Sequence, residues 1–328
     1  MTTPILLICF NRPQHTRRVL AEILKQEPQS LYVCQDGARE GNENDSIKCQ
    51  EVRDVIHELT SLYADTNKHF KLHTLYQRKN LGCGPGPAIG ITWFFNNVEQ
   101  GIIIEDDAVP HSDFFGYAKE LLERYKENID VRAIGSMNVD KHKWGDGSYY
   151  FSMMNRNLCA WATWHRAWND FDLRLMNTSR KDLSHALRKY GCTLLEREYW
   201  CDRLDEIHQD GQNNSSWDMQ FFMSIWLRQG KGIIPNVNLS TNIGFGAEAT
   251  HTTMTDHVVA NVPTEHILPL VHPSTTDIQT KADRQFHITY FEPYNSGWNL
   301  LRRLPYRMNK RLKRWLHHEG PWIKHKKI

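Results

Sequence analysis

The sequence predicts an α/β fold with a mostly parallel central sheet. Short apolar runs alternate with amphipathic segments through the first hundred residues, which is typical of βαβ units. Each apolar run ends in polar residues, as expected where parallel strands reach one edge of a sheet. The apolar fraction of 40% over 328 residues is enough for a sizeable core. We therefore expect a doubly wound sheet with helices on both faces.

Four strands and three helices are predicted in the first hundred or so residues. The strands cover 4–10, 30–37, 70–76 and 101–105, because each is a short apolar or β-branched run bounded by turn residues. A helix follows each of the first three strands. The first carries apolar residues at helical spacing, the second follows a polar loop at 39–46, and the third follows the break "NLGCGPGP".

The second half of the chain is less regular. A helix is predicted over 113–125 and a strand over 131–138, and residues 180–230 are largely helical. The segment between them is dense in aromatic residues. Trp164 and Trp168 are four residues apart, which favours one helix face packed in the core. For Trp161, which lies among small residues, two interpretations stay open: core packing, or the floor of a sugar pocket.

We predict a C-terminal extension over 261–328, and a shift in composition lies within it. From Arg302 onward there are ten Lys/Arg and one acid, whereas the preceding chain has thirty Lys/Arg and thirty-seven acids.

The extension contains a predicted basic amphipathic helix at about 298–318, with an apolar stripe on one side. Such a helix is typical of binding to an anionic membrane surface. The alternative is a helix packed on its own domain with a solvated basic face. A nucleic-acid contact is a third interpretation of this helix. It is the least favoured of the three, and we expect no nucleic-acid partner.

Cysteine usage and the N-terminus predict a cytoplasmic protein, peripheral at the inner membrane face if the basic helix binds lipid. The seven cysteines are odd in number and form no CxxC pair, which favours reduced thiols. The first residues lack the basic region of a signal peptide, and no apolar stretch approaches the length of about 18 residues that spans a bilayer.

Three carboxylates follow the fourth strand directly, at Glu105, Asp106 and Asp107. Neighbouring carboxylates repel each other, and burying an unpaired charge is costly. A hard divalent cation such as Mg²⁺ or Mn²⁺ would offset this repulsion, since it uses one or two protein carboxylates together with phosphate oxygens. Strand alternation would place Glu105 and Asp107 on one side and Asp106 on the other. The alternative is a solvated acidic turn.

Polar residues also end the first three strands, and together they suggest the rim of a ligand site. Asn11 and Arg12 follow the first strand, Asp36 follows the second, and Asn80 follows the third. Each alone could be an ordinary loop residue. In a parallel sheet, ligands bind outside the carboxyl ends of the strands, so four polar clusters at one edge favour a binding role.

The motif "GCGPGP" at 82–87 has some features of a dinucleotide-binding fingerprint. It follows a strand, precedes a helix, and has Glu105 about twenty residues on. Pro87 stands at the third glycine position, however, and three predicted strands precede the loop, whereas the fingerprint normally opens its domain. A dehydrogenase is therefore disfavoured, and the loop is interpreted as a tight turn near a nucleotide.

The segment "GIIIEDDAVPHSDFF" at 101–115 resembles the Asp-x-Asp-type motif of GT-A-fold glycosyltransferases. It looks most like the version in N-acetylglucosaminyltransferase I and related bacterial family-2-like sugar transferases. "FNRP", "DG", "NLG", "WATW", "WDMQ" and "NIGFG" with a later "THT" extend the resemblance over roughly 4–255. Beyond about 260 no pattern matches. The resemblance therefore implies one domain over 1–260, with a nucleotide-binding part at 1–110 and an acceptor-side part at 111–260, before the extension over 261–328.

The resemblance implies transfer of a sugar from a nucleotide donor, most often a UDP-sugar, with Mn²⁺ or Mg²⁺ as cofactor. It implies that Asp107 holds the metal and that Glu105 and Asp106 contact or position the ribose. Arg12 and Asp36 match positions that line the nucleoside pocket, with Asn80 nearby. A late histidine in relatives approaches the metal or diphosphate, which here is His251. Its alternative is an ordinary surface histidine.

An inverting transferase needs a base that takes the proton of the acceptor hydroxyl. The best candidate is Asp218 in "NNSSWDMQFF". The structural alternative is that Asp218 only favours a helix start, since a serine can cap that helix and an acid in its first turn is favoured by the macrodipole.

We therefore predict a metal-dependent inverting glycosyltransferase acting on a glycan or lipid-linked acceptor, in bacterial surface glycan or glycolipid synthesis. Two alternatives stay open. One is a nucleotide-binding module without transferase activity. The other is a nucleotidyltransferase on a similar sheet, which is disfavoured because "FNRPQH" lacks the Gly-rich loop that this class places after the first strand.

Overall fold

The computed structural model describes residues 2–139, 142–154, 160–210, 216–245 and 260–290, together with Met308. The strands in these ranges are β1 Ile5–Cys9, β2 Ser30–Gln35, β3 Lys71–Tyr76, β4 Gln100–Glu105, β5 Ala108–Pro110, β6 Val131–Gly135, β7 Tyr149–Ser152, β8 Ala160–Trp164, β9 Lys231–Pro235 and β10 Ser240–Asn242. The helices are α1 Pro13–Leu24, α2 Glu43–Thr66, α3 Pro85–Phe95, α4 Ser112–Arg124, α5 His165–Trp168, α6 Arg180–Lys189, α7 Leu194–Asp210, α8 Asp218–Leu227 and α9 Thr280–Tyr290.

Eight of the strands form one mixed sheet in the order β3-β2-β1-β4-β8-β6-β9-β7. β1 to β4 are parallel to one another, and β6 is parallel to β9. Two strands run in the opposite direction: β8 between β4 and β6, and β7 at the edge beside β9. The antiparallel pair β5 and β10 forms a small second sheet. The predicted α/β fold with a mostly parallel central sheet is confirmed.

Helices cover both faces of the sheet, as predicted. Successive residues of a strand point to opposite faces, so Ile5 and Leu7 of β1 pack with α1, α2 and α4, whereas Leu6 and Ile8 pack with α3 and α8. These four side chains are all buried. Strands buried on both sides read as continuous apolar runs, which is why "ILLIC" has no polar alternation.

The aromatic segment folds differently from the prediction. Trp164 and Trp168 do not share a helix face, because Trp164 ends β8 and Trp168 ends the short helix α5. They pack in the cores on opposite faces of the sheet, and each indole N–H is hydrogen-bonded. Trp164 Nε1 donates to the carbonyl of Leu122 at 3.2 Å, and Trp168 Nε1 donates to Thr92 Oγ1 at 3.0 Å. Both are core residues, as expected, but through different elements.

The described part of the predicted extension, 261–290, packs against the main sheet. Ile278 forms a bridge with Phe151 of β7, and Ala260, just before the extension, forms one with Asn242 of β10 in the small second sheet. Asp283 of α9 accepts a hydrogen bond from the backbone N–H of Met153 at 3.0 Å. The predicted basic helix at about 298–318 lies outside the described residues apart from Met308, so its partners stay predictions, as does the domain boundary at 260.

The sequence also predicts reduced cysteines and no membrane-spanning segment. Six of the seven cysteines lie in the described ranges, and all six are free thiols. Among the helices that the structure describes, none has the length and apolar character needed to cross a bilayer.

Candidate functional site at the carboxyl edge of the sheet

The EDD turn, defined as Glu105–Asp107, lies where β4 reaches the carboxyl edge of the sheet. Glu105 is the last residue of β4 and pairs in register with Ile8 of β1. Asp106 and Asp107 form a turn into β5. Regular strand alternation therefore ends at Glu105, and the expectation that Glu105 and Asp107 share a side while Asp106 opposes them stays a prediction. Asp106 and Asp107 both lie near one cation, Arg12.

Arg12 is the N-cap residue of α1, and its guanidinium pairs with the turn. Its Nη1 lies 2.9 Å from Asp107 Oδ2 and 3.9 Å from Asp106 Oδ1. Asp106 Oδ2 also accepts a hydrogen bond from the backbone N–H of Phe10 at 3.2 Å. Burial raises the pKa of Asp106 to about 7, and Asp107 adds to the rise, while Arg12 and the Phe10 N–H oppose it. When all three of its carboxylates are ionised, the turn carries more negative charge than Arg12 neutralises.

Asp107 has one carboxylate oxygen that suits a cation. Oδ1 is buried and accepts no hydrogen bond within the described ranges, although a buried carboxylate oxygen is normally satisfied. The backbone of residues 243–244 covers the same side chain. Ile243 N donates to the Asp107 carbonyl at 2.8 Å, and a Cβ atom at Gly244 would lie 2.1 Å from Asp107 Oδ2. A hard divalent ion fits this donor, because Mg²⁺ and Mn²⁺ prefer oxygen ligands.

Glu105 lies close to the start of α8 as well as to Asp107. Burial raises the pKa of Glu105 well above its usual range, and the carboxylates of Asp107 and Asp218 raise it further. The Trp217 side chain, itself buried, hydrogen-bonds to the Glu105 carboxylate and opposes the shift. Asp218 is the first residue of α8, and its Oδ1 accepts a hydrogen bond from Ser216 Oγ. The predicted base therefore lies beside the predicted metal-binding motif, although 113 positions separate Glu105 from Asp218 in the chain.

Asp36 and Asn80, predicted at the ends of β2 and β3, contact each other. Asn80 Nδ2 donates to Asp36 Oδ2 at 3.1 Å and to the Gly37 carbonyl at 2.9 Å. Asp36 also accepts from the backbone N–H groups of Leu81 at 2.9 Å and Gly82 at 3.0 Å. Burial raises the pKa of Asp36, and these N–H groups oppose the rise. This pair shapes the loop between β3 and α3 and fixes where its backbone lies.

Asn11 faces α2. Its Nδ2 donates to Asp45 Oδ1 at 2.8 Å, and Asp45 is almost fully buried. Asp45 also pairs with Arg39, which lowers the pKa of Asp45. In this arrangement Asn11 holds the end of β1 against the start of α2, on the same rim as Arg12. A direct contact from Asn11 to a nucleotide sugar stays a prediction.

The remaining predicted site residues have different outcomes. Trp161 is fully buried in β8 and stacks on Trp217 with ring centroids 5.6 Å apart, so its ring presents no face on which a sugar could stack. The sugar-pocket interpretation of Trp161 is corrected to core packing. His251 lies outside the described residues, and its role near the metal stays a prediction.

Sequence reasoning missed three residues at this edge. Trp217 hydrogen-bonds to Glu105, and Gly244 lies against Asp107. Cys83 is half-buried. Burial is the main cause that raises the pKa of its thiol, and the nearby carboxylates of Asp36 and Glu105 raise it further. The signals were present in "WDMQ", "NIGFG" and "GCGPGP". Only the tertiary structure shows that these three segments come together at this edge of the sheet.

No family model matches this chain, and no curated protein matches it. Solved structures share parts of the fold. Residues 1–349 of TarS from S. aureus are 11% identical with a TM-score of 0.36, over 53% of this chain and 51% of that one, so this chain spans about half of that structure.

Two other structures are similar over more of the chain. UDP-glucose pyrophosphorylase complexed with UDP-glucose is 8% identical, with a TM-score of 0.36 over 72% of this chain and 90% of that one. Galactosyltransferase LgtC, in complex with donor and acceptor sugar analogues, is 10% identical, with a TM-score of 0.37 over 83% and 87%. Similarity at this level assigns no function to this chain.

Proposed function

We propose that this protein is a metal-dependent inverting glycosyltransferase. It would move a sugar from a nucleotide sugar, UDP-linked in our proposal, to a hydroxyl of a glycan or lipid-linked acceptor. The observation that carries the proposal is the convergence of Arg12, the EDD turn and Asp218 at the carboxyl edge of the sheet. A parallel sheet presents its ligand-binding crevice at this edge.

The donor would bind along the rim formed by the first four strand ends. Asp107 Oδ1 would hold Mn²⁺ or Mg²⁺, with His251 as a predicted further ligand. When bound, such an ion stabilises the negative charge that develops on a departing diphosphate. The loop that Asp36 and Asn80 hold in place would shape the nucleoside pocket, and Arg12 supplies a fixed positive charge at the same edge.

Asp218 would act as the general base. Its carboxylate is placed at the start of α8, oriented by Ser216 and adjacent to Glu105. It would accept the proton of the acceptor hydroxyl as that oxygen attacks the anomeric carbon from the face opposite the leaving group, which inverts the configuration. Glu105 has a raised pKa, and in its protonated form it could donate a hydrogen bond to a ribose or sugar hydroxyl.

The first experiment measures thermal unfolding with a panel of nucleotide sugars, each with and without Mn²⁺. Ligands that bind only the folded state raise its apparent stability with occupancy. We expect one UDP-sugar to raise the unfolding temperature in the presence of Mn²⁺ and much less without it. Asp107→Asn should remove the Mn²⁺ dependence, and Asp65→Asn, an exposed acid on α2, should retain it.

The second experiment separates binding from chemistry. Asp218→Asn should bind the donor as the native protein does and lose about 10²-fold to 10⁴-fold in transfer rate, the usual contribution of a general base. Native turnover in Asp218→Asn would contradict the assignment of the base. Donor binding without any transfer in the native protein would favour a binding module. Pyrophosphate release from a nucleoside triphosphate and a sugar phosphate would favour a nucleotidyltransferase.

The predicted cytoplasmic location and the association of the basic C-terminal helix with an anionic membrane remain part of this proposal. If the acceptor is lipid-linked, binding to the membrane surface would bring the protein to its acceptor. Co-sedimentation with anionic and neutral vesicles would test it directly.

A further inference from the structure

Three metal-ligating side chains meet at the start of α4. His111 follows β5 directly, Asp113 lies in the first turn of α4, and His266 comes from the irregular segment 261–279. One ligand atom from each residue lies within 4.8 Å of the other two. None of the three takes part in the proposed sugar transfer, so this cluster needs its own explanation.

The carboxylate of Asp113 bridges the two imidazoles. Its Oδ2 is 3.3 Å from His266 Nδ1, and its Oδ1 is 3.6 Å from His111 Nδ1. The two rings stand edge to face with centroids 4.6 Å apart. Ligand atoms from two separate chain segments therefore already lie close together. An isolated surface histidine would have no such neighbours.

Hydrogen bonds also orient the ligand atoms of the cluster. The Asp113 carboxylate accepts hydrogen bonds from the backbone N–H groups of Ile267 at 2.9 Å and Leu268 at 3.3 Å, which hold it in place. His111 Nδ1 accepts a hydrogen bond from the Asp113 N–H at 3.1 Å, so this nitrogen is unprotonated in this arrangement, and an ion bound at Nδ1 would replace that hydrogen bond. A metal needs an ionised carboxylate and an unprotonated imidazole nitrogen.

The geometry points to a transition-metal site formed by His111, Asp113 and His266, with Zn²⁺ as the ion it would take. Two imidazole nitrogens and one carboxylate oxygen are a common Zn²⁺ ligand set, with water in the fourth position. Nitrogen donors favour Zn²⁺ over Mg²⁺, Ca²⁺ or Mn²⁺, which prefer oxygen.

Binding a Zn²⁺ ion would require only a small movement of the three ligand side chains. Metal–ligand distances of about 2.0–2.1 Å in a tetrahedron place ligand atoms about 3.3 Å apart. The cluster must therefore contract by about 1.5 Å or less from its present spacing. The side chain of His266 is 82% exposed and can supply this movement without disturbing the core.

An ion here would tie segment 261–279 to α4. The positive end of α4 disfavours a cation, and the carboxylate of Asp113 in the first turn offsets this. Segment 261–279 begins next to Ala260, which bridges to β10, and β10 pairs with β5 directly after Asp107. His111 is four residues from Asp107, about 13 Å along an extended strand, so this ion would be separate from the one proposed at Asp107.

The test is a Zn²⁺ titration of the full-length chain by calorimetry, with Co²⁺ absorption as a readout of coordination geometry. The sequence also contains the adjacent pair His317 and His318, so all proteins carry His317→Ala and His318→Ala. We expect one bound equivalent of Zn²⁺ and a Zn²⁺-dependent rise in unfolding temperature. His266→Ala should weaken binding at least tenfold and abolish the Co²⁺ spectrum.

Two controls keep the test specific. His69→Ala removes another exposed histidine, and Asp107→Asn removes the other proposed ligand, and neither should change Zn²⁺ binding. His111→Asn keeps an N-cap acceptor while removing the imidazole, so it should fold and still lose Zn²⁺. Unchanged Zn²⁺ affinity in His266→Ala, or the absence of a bound equivalent at micromolar Zn²⁺, would overturn the proposal.

Discussion

Replacing Arg12 with methionine should destabilise the protein more at high pH than at low pH. The guanidinium of Arg12 is the cation of an ion-pair group in which the side chains of Arg12, Asp106 and Asp107 are 13%, 10% and 17% exposed. Methionine keeps most of the length and apolar contact of the side chain but removes the charge. The two carboxylates then lose the cation nearest to them.

The magnitude follows from the geometry. Unit charges about 4 Å apart interact by about 4 kcal/mol at an effective dielectric constant of about 20. Removing one partner of a buried pair typically costs about 3–5 kcal/mol. Because these side chains are partly exposed, we expect a loss of about 3 kcal/mol in the free energy of unfolding at pH 8.

The pH dependence has a definite sign. Asp106 has a folded-state pKa of about 7, above the value of about 3.9 for an unfolded aspartate. Its contribution to stability is therefore largest at low pH and declines as pH rises from about 4 to about 7. Without Arg12 that pKa rises further, so the decline continues to higher pH. At pH 5.5, where Asp106 is mostly protonated, the loss caused by Arg12→Met should be roughly half of that at pH 8.

The assay is urea unfolding of the native protein and Arg12→Met at both pH values. Arg17→Met is the matched control, because Arg17 is on the same helix and its pair with Glu58 is 39% and 52% exposed. Screening by solvent makes such exposed pairs weak, so the control should lose little stability at either pH. A loss in Arg12→Met that is independent of pH, or no larger than in Arg17→Met, would refute the reasoning.

Two further substitutions probe the same edge of the sheet. Gly37→Ala would place a Cβ atom 2.5 Å from the backbone carbonyl carbon of Lys79, so we expect a loss of about 1–3 kcal/mol in the free energy of unfolding and weaker nucleotide-sugar binding in a thermal-shift assay. Trp217→Phe removes the indole that lowers the raised pKa of Glu105, so its destabilisation should grow as the pH rises toward that raised pKa, measured by urea unfolding over a pH series. Trp168→Phe, which loses only a hydrogen bond to a neutral hydroxyl, should show a pH-independent loss, and equal pH dependence in the two tryptophan variants would argue against a charged Glu105.

The second half of the sheet shows where pattern reasoning stops. The antiparallel strand β8 lies between β4 and β6, and β7 closes the far edge. In the sequence, this region is an aromatic segment in which Trp164 and Trp168 have the spacing of one helix face. The same spacing also fits the observed structure, where Trp164 ends a strand and Trp168 ends the short helix that follows it. The direction and neighbours of a strand depend on long-range pairing, which local periodicity does not contain.

The local sequence by itself determined the first four strands, the polar residues that end them, and the position of Glu105–Asp107 at the end of the fourth strand. This was possible because short apolar runs, helical spacing and turn residues act within a few positions of one another. Only the tertiary structure decided that Arg12 pairs with Asp107, that Glu105 lies beside Asp218, and that Trp161 is buried. Those contacts join residues from about 60 to 110 positions apart, and the packing of helices on two faces of one sheet brings them together.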